Sequence, residues 1–168
     1  METLVKQPSA TYNELGFSTK VHEEVIRNLN RNLANFNVHF QKMRNFHWNV
    51  KGSNFLDLHA KFGKLYKDAN GNIDAIAERI RVFGNNPIST FKQCLEMSEI
   101  KESGTHFSAT EMVKETISDF EILLPSMVDT INAANEIGDI STVDMLTKMM
   151  KGIEKNHWMM TSWISREI

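Results

Sequence analysis

The chain has 168 residues, enough for one domain with a substantial core, and carries 41% hydrophobic and 24% charged residues at a formal net charge of −2. That balance gives no general electrostatic basis for tight nucleic-acid binding. The single cysteine, Cys94, excludes an internal disulfide and a cysteine-based zinc site and fits a reduced, cytoplasmic setting. Residues 1–20 lack the apolar core of a signal peptide, and no apolar run approaches the roughly 20 residues of a membrane span.

Residues 1–17 are polar and hold Pro8 and Gly16, the composition of a flexible tail, so a folded domain is expected over 18–168. Ser18 or Thr19 is suited to cap a first long helix. Its apolar positions Val25, Leu29, Leu33, Phe36, Phe40 and Met43 recur at steps of three and four, as a buried helical stripe does. The next member of that series is His47. Lys51-Gly52-Ser53-Asn54 ends this helix and caps the next, whose stripe is Phe55, His59, Phe62, Tyr66, Ala69, Ile73, Ile76, Ile80 and Phe83. A second histidine thus lies on a seam. Gly63 and Gly71 each weaken that helix by about 1 kcal/mol relative to alanine, yet the pattern continues through both. Gly84-Asn85-Asn86-Pro87 stops it.

A long connection follows, with room for a short helix between Ile88 and Met97. Ser108-Ala109-Thr110-Glu111 is a capping box opening a third long helix. Its stripe runs Val113, Ile117, Phe120, Leu124, Met127, Ile131 and Ala134, in phase across Pro125, which predicts a kink rather than a stop. Gly138 ends it. Ser141-Thr142-Val143-Asp144 opens a fourth helix carrying Leu146, Met150, Ile153, His157, Met160 and Ile164. The expected fold class is all-α. Four long helices with one long crossover containing a short helix make a ferritin-like four-helix bundle.

Imidazole and carboxylate together are a ligand set for iron or zinc. His47 and His59 flank a tight turn between antiparallel helices, which leaves two readings: separate core histidines, or two ligands of one metal. Asp74 and Glu78 share a helix face, where like charges repel unless a cation lies between them. Taken alone they read as a solvated face. His59 and Asp74 are 15 residues apart, roughly 22 Å of helical rise, so one chain cannot bring all four to one metal. Two copies related by a two-fold axis across the second helix can. The motif Glu154-Lys155-Asn156-His157 has no second copy, which argues against a di-iron site inside the bundle. His157 is expected to pack in the core beside Trp158 and Trp163, the methionines of the fourth helix to be core, and His22 and His106 to face solvent.

Asn45-Phe46-His47-Trp48-Asn49-Val50-Lys51-Gly52, Phe55-Leu56-Asp57-Leu58-His59 and Asp74-Ala75-Ile76-Ala77-Glu78-Arg79-Ile80 resemble the signature of the Dps mini-ferritins, DNA-binding proteins from starved cells. The likeness runs from near residue 20 to the C-terminus. It implies a hollow homo-dodecamer that oxidises ferrous iron (Fe2+) with hydrogen peroxide or oxygen and stores ferric iron. It also implies that His47 and His59 of one subunit meet Asp74 and Glu78 of a two-fold partner. Trp48 matches a tryptophan thought to intercept radicals, and Glu136, Asp139 and Asp144 are candidates to line an iron-entry pore. One position departs from the resemblance. Gly63 stands where the family usually carries a carboxylate, so the alternative reading is a structural or DNA-associated cage with impaired ferroxidase activity. Only Lys6 supplies a basic residue before Lys20, so DNA binding is expected to be weak or absent.

Overall fold

The computed structural model describes residues 22–165, so the expected tail and the caps Ser18 and Thr19 lie outside the described residues. The elements are α1 (Glu23–Asn49), α2 (Phe55–Val82), α3 (Phe91–Met97), α4 (Ala109–Glu136) and α5 (Ile140–Ile164), with no strand among the described residues. α1 and α2 form one antiparallel hairpin and α4 and α5 the other. The crossover between them carries the short α3, which packs on α1. This is the all-α, ferritin-like architecture that the periodicity predicts.

The apolar stripes meet in one core. Leu29, Phe36, Met43 and Phe46 of α1 pack with Phe62, Ile76 and Ile80 of α2 and with Val113, Phe120 and Met127 of α4, all essentially inaccessible. α5 contributes Leu146, Ile153 and Met160. The seam methionines Met145, Met149 and Met150 are only partly buried, and Met159 is exposed.

Capping explains several boundaries. At α4, Ser108 accepts from the Glu111 N–H while the Glu111 carboxylate accepts from the Ser108 N–H, the expected capping box. Those bonds hold the Glu111 carboxyl below its ordinary range. Thr90 and Gln93 make an equivalent box on α3. α4 runs unbroken through Pro125. α5 begins one residue before the expected Ser141, because Asp139 accepts from the Thr142 N–H and so takes the cap. Asp139 is buried and also ion-paired to Arg79, which donates to Thr142 Oγ1 at 2.8 Å, so α2 is tied to the start of α5.

Two histidines depart from expectation. His22 is buried, its ring 5.1 Å from that of Phe83, because the N-cap of α1 lies against the end of α2. His157 is not a core residue: its side chain is one-third exposed and points toward Glu121 at 3.7 Å, while Trp158 is largely exposed.

α1 also carries a buried polar stripe alongside its apolar one: Asn28, Asn32, Asn35, His39 and Lys42. Asn32 donates to Thr130 Oγ1 at 2.6 Å and accepts from Ser126 Oγ at 2.8 Å. The Asp119 carboxylate bonds His39 Nδ1 at 2.8 Å and the Lys42 ammonium at 2.6 Å. The α1–α4 contact is therefore fixed by paired polar groups as well as by area.

Candidate metal centre

The connection between α1 and α2 is only Val50–Asn54. Gly52 turns the chain at φ +102°, in the left-handed region that side-chain-bearing residues rarely occupy. The Val50 N–H closes α1 on the Phe46 carbonyl, and the Phe55 N–H closes the turn on that of Gly52. So short a turn sets His47, near the end of α1, against His59, in the second turn of α2.

The two imidazoles stack with centroids 3.8 Å apart and planes 23° from parallel. Each is anchored to the other's backbone. His47 Nδ1 bonds the His59 carbonyl at 2.7 Å, and His59 Nδ1 bonds the His47 carbonyl at 2.8 Å. A carbonyl oxygen only accepts, so both Nδ1 atoms carry a proton, and in the neutral rings both Nε2 atoms keep a lone pair. This is the arrangement that orients a metal-binding histidine. The packing around the pair is aromatic. Tyr66 meets the His47 ring edge-on at 5.4 Å, and Phe55 stacks on His59 at 5.1 Å.

Gly63 lies one turn after His59, buried against the His47 ring. A Cβ at this position would stand 3.1 Å from both Cε1 and Nδ1 of His47. The missing side chain is thus a condition of the ring's present position.

The other expected ligands are elsewhere. Asp74 and Glu78 are exposed on α2, and neither has a hydrogen-bond or ion-pair partner among the described residues. α2 is continuous from Phe55 to Val82, so Asp74 is roughly 22 Å along the axis from His59. Within one chain the structure brings the two histidines together and keeps the two carboxylates apart from them. Among the described residues no three His, Cys, Asp or Glu side chains of one chain converge on a metal position.

Trp48 is 58% exposed next to the histidines, with the Arg44 guanidinium 4.8 Å above its ring. It borders a cleft of about 440 Å³ shared with Asn45, Phe91, Cys94 and Leu95, whose lining includes neither imidazole. Of the three acidic residues expected near a pore, Glu136 and Asp144 are exposed at the two ends of the α4–α5 turn, whereas Asp139 is committed to Arg79 and the α5 cap. The reciprocal histidine bonds and the His39–Asp119–Lys42 cluster are additions that seam analysis did not yield.

A bundle of this topology with paired histidines at one hairpin defines a ferritin-like protein, and the comparisons with known proteins agree. The family model for the ferritin-like domain matches residues 26–167. A DNA protection during starvation protein of Brevibacillus brevis is 41% identical over 146 residues, covering 87% of this chain and 98% of that protein. General stress protein 20U of Bacillus subtilis is 36% identical over 142 residues, covering 84% of this chain and 98% of its own length. Among solved structures, a Dps protein from Bacillus brevis superposes with a TM-score of 0.84 at 40% identity, covering 88% of this chain and 99% of that one. A Dps protein from Vibrio cholerae, described as one of a broad superfamily of ferritin-like diiron-carboxylate proteins, gives 0.88 at 31% identity, covering 94% and 99%. The chain belongs to the Dps family of ferritin-like proteins. None of its described helices is long and apolar enough to cross a membrane.

Proposed function

We propose that this protein is a mini-ferritin that oxidises ferrous iron at sites shared between two-fold-related subunits and holds the ferric product inside a hollow homo-dodecamer, limiting oxidative damage. The observation that carries this reading is the locked imidazole pair, with both Nε2 lone pairs free, whose His59 lies on the same helix as two unpartnered carboxylates one helix-half away. In an antiparallel arrangement of two α2 helices, the His47 and His59 end of one subunit lies beside the Asp74 and Glu78 end of its partner. Each two-fold axis then generates two equivalent sites. The exposed apolar side chains Leu56 and Trp48, close to the histidines in the chain, and Phe91 on α3 suit burial against a second copy.

Ferrous iron is the substrate. Two ferrous ions give up one electron each. Hydrogen peroxide accepts both, its O–O bond breaks, and with two protons it leaves as two waters; dioxygen is the alternative oxidant. The protein's part is positioning. Neutral imidazoles supply nitrogen lone pairs in fixed directions, and the carboxylates supply negative charge that favours the ferric over the ferrous state. Trp48, exposed beside the pair, is placed to intercept oxidising radicals, and Glu136 and Asp144 offer carboxylates for iron entry. DNA is not a proposed partner, because dense phosphate neutralisation has no counterpart in the net charge of −2.

The test adds ferrous iron and peroxide to the metal-free assembly and follows ferric absorbance. His59→Ala should slow the rise by at least about tenfold. Equal rates in the two proteins would remove the assignment.

A further inference from the structure

Gly63 attracts attention because it touches the centre without having a side chain. It is buried one turn after His59, facing the edge of the His47 ring whose Nδ1 is bonded to the His59 carbonyl. Any Cβ there would come within 3.1 Å of His47 Cε1 and Nδ1, closer than ordinary van der Waals contact. The ring could not retreat freely, because it is stacked on His59 at 3.8 Å and met edge-on by Tyr66. The ring therefore stands where a side chain at 63 would begin, and a Cβ there would have to displace it by a few tenths of an ångström.

We infer that Gly63 is a specificity-determining residue of the metal centre: it lets the two imidazoles lock together across the α1–α2 turn, and it limits the centre to one tightly held metal ion. The inference rests on the shared-site reading above. With Gly63 silent, the protein donors are two Nε2 atoms from one chain and two carboxylates from its partner. Four donors complete the set around one first-row divalent ion, but divided between two ions they leave each mostly to water. A half-imidazole set also selects its metal. Imidazole suits ferrous iron, cobalt and zinc, whereas magnesium and calcium take oxygen ligands.

The experiment needs no turnover. Co2+ is titrated into the metal-free assembly, followed by calorimetry and visible absorption, and the ions bound are counted relative to a His47→Ala/His59→Ala variant. That subtraction removes ions held at acidic sites elsewhere. One histidine-dependent Co2+ per chain is expected, not displaced by millimolar Mg2+. Gly63→Ala adds the Cβ without a ligand and should keep the count while weakening binding about tenfold, since a displaced ring loses its anchoring. Gly63→Asp adds a carboxylate and should bind a second, weaker ion. Two histidine-dependent ions in the unaltered protein, or Gly63→Ala binding as tightly as the unaltered protein, would overturn the inference. If the double histidine variant binds as much Co2+ as the unaltered protein, the shared-site reading itself fails, and the two failures are told apart. The count in the unaltered protein decides even if a variant does not assemble.

Discussion

His47 and His59 hold each other through main-chain acceptors: the Nδ1 of each donates to the backbone carbonyl of the other. The consequence is specific. Replacing one histidine removes its ring and the stacking contact but leaves its carbonyl, so the remaining imidazole keeps its tautomer and direction. His47→Ala and His59→Ala should therefore each weaken ferrous-iron binding by at least about tenfold yet retain measurable binding, and the double variant should lose the centre. Calorimetry under anaerobic conditions checks this. A single variant that binds no more iron than the double variant would show that the rings do not act as independently anchored ligands.

Trp48 leads to a different kind of prediction, because it is exposed and offers no metal ligand. Its ring lies under the Arg44 guanidinium, one residue from His47. Trp48→Phe should leave the rate of iron oxidation within about twofold, since the change preserves an apolar aromatic surface. Oxidation of neighbouring Met and Tyr side chains during turnover should rise, as read by mass spectrometry. Unchanged side-chain oxidation would mean that Trp48 serves the subunit contact alone.

The helices, their order and the long crossover were legible in the sequence because apolar residues recur at three and four along each, a pattern only a helix converts into one face. The two histidines were legible because they fall on those seams. Their reciprocal bonds were not, since main-chain carbonyls have no signature in side-chain identity. The polar stripe on α1 had a visible signal: Asn28, Asn32, Asn35, His39 and Lys42 follow steps of four, three, four and three. Read by hydropathy alone, such a stripe looks solvated. It is buried because α4 offers Asp119, Ser126 and Thr130 in register. His157 misled for the converse reason: it follows Ile153 on the apolar seam by a step of four, yet its side chain turns toward Glu121 and stays one-third exposed.

That polar stripe makes Asp119 a stability determinant. Its two oxygens serve His39 and Lys42, and all three side chains are at most 3% exposed. Asp119→Ala would strand a buried ammonium that keeps only the longer contact to Glu115 at 3.3 Å. The expected cost is about 3–5 kcal/mol. Replacing Asp119, Lys42 and His39 together by apolar residues of similar volume should cost far less, because no charge is left unpaired. Urea denaturation of the assembled proteins compares the two. A loss in the triple variant as large as in Asp119→Ala would show that the cluster contributes through more than mutual compensation.

Cys94, on α3, is buried, and burial raises its thiol above the ordinary range. For an acid, a raised pKa means less thiolate at any pH below it, and the thiolate is the nucleophile. The folded protein should therefore be alkylated by iodoacetamide more slowly than the urea-unfolded chain near pH 8. The ratio of the two rates should approach one as pH rises past both pKa values, to the extent that access allows. Equal rates at pH 8 would indicate that the α3 segment opens readily.

The proposed sharing of the centre between two subunits makes the last prediction. A chain carrying His47→Ala and His59→Ala retains Asp74 and Glu78, while a chain carrying Asp74→Asn and Glu78→Gln retains the histidines. Each alone should be inactive. When the two are co-assembled, a mixed two-fold pair has one site with both sets of altered residues and one site with all four ligands intact. If pairing is random, half the pairs are mixed and half their sites are whole, so activity should return to about a quarter of that of the unaltered protein. A centre built within one chain would give no recovery at any mixing ratio, because neither chain carries both halves. The roughly 22 Å of α2 between His59 and Asp74 is the physical reason to expect recovery.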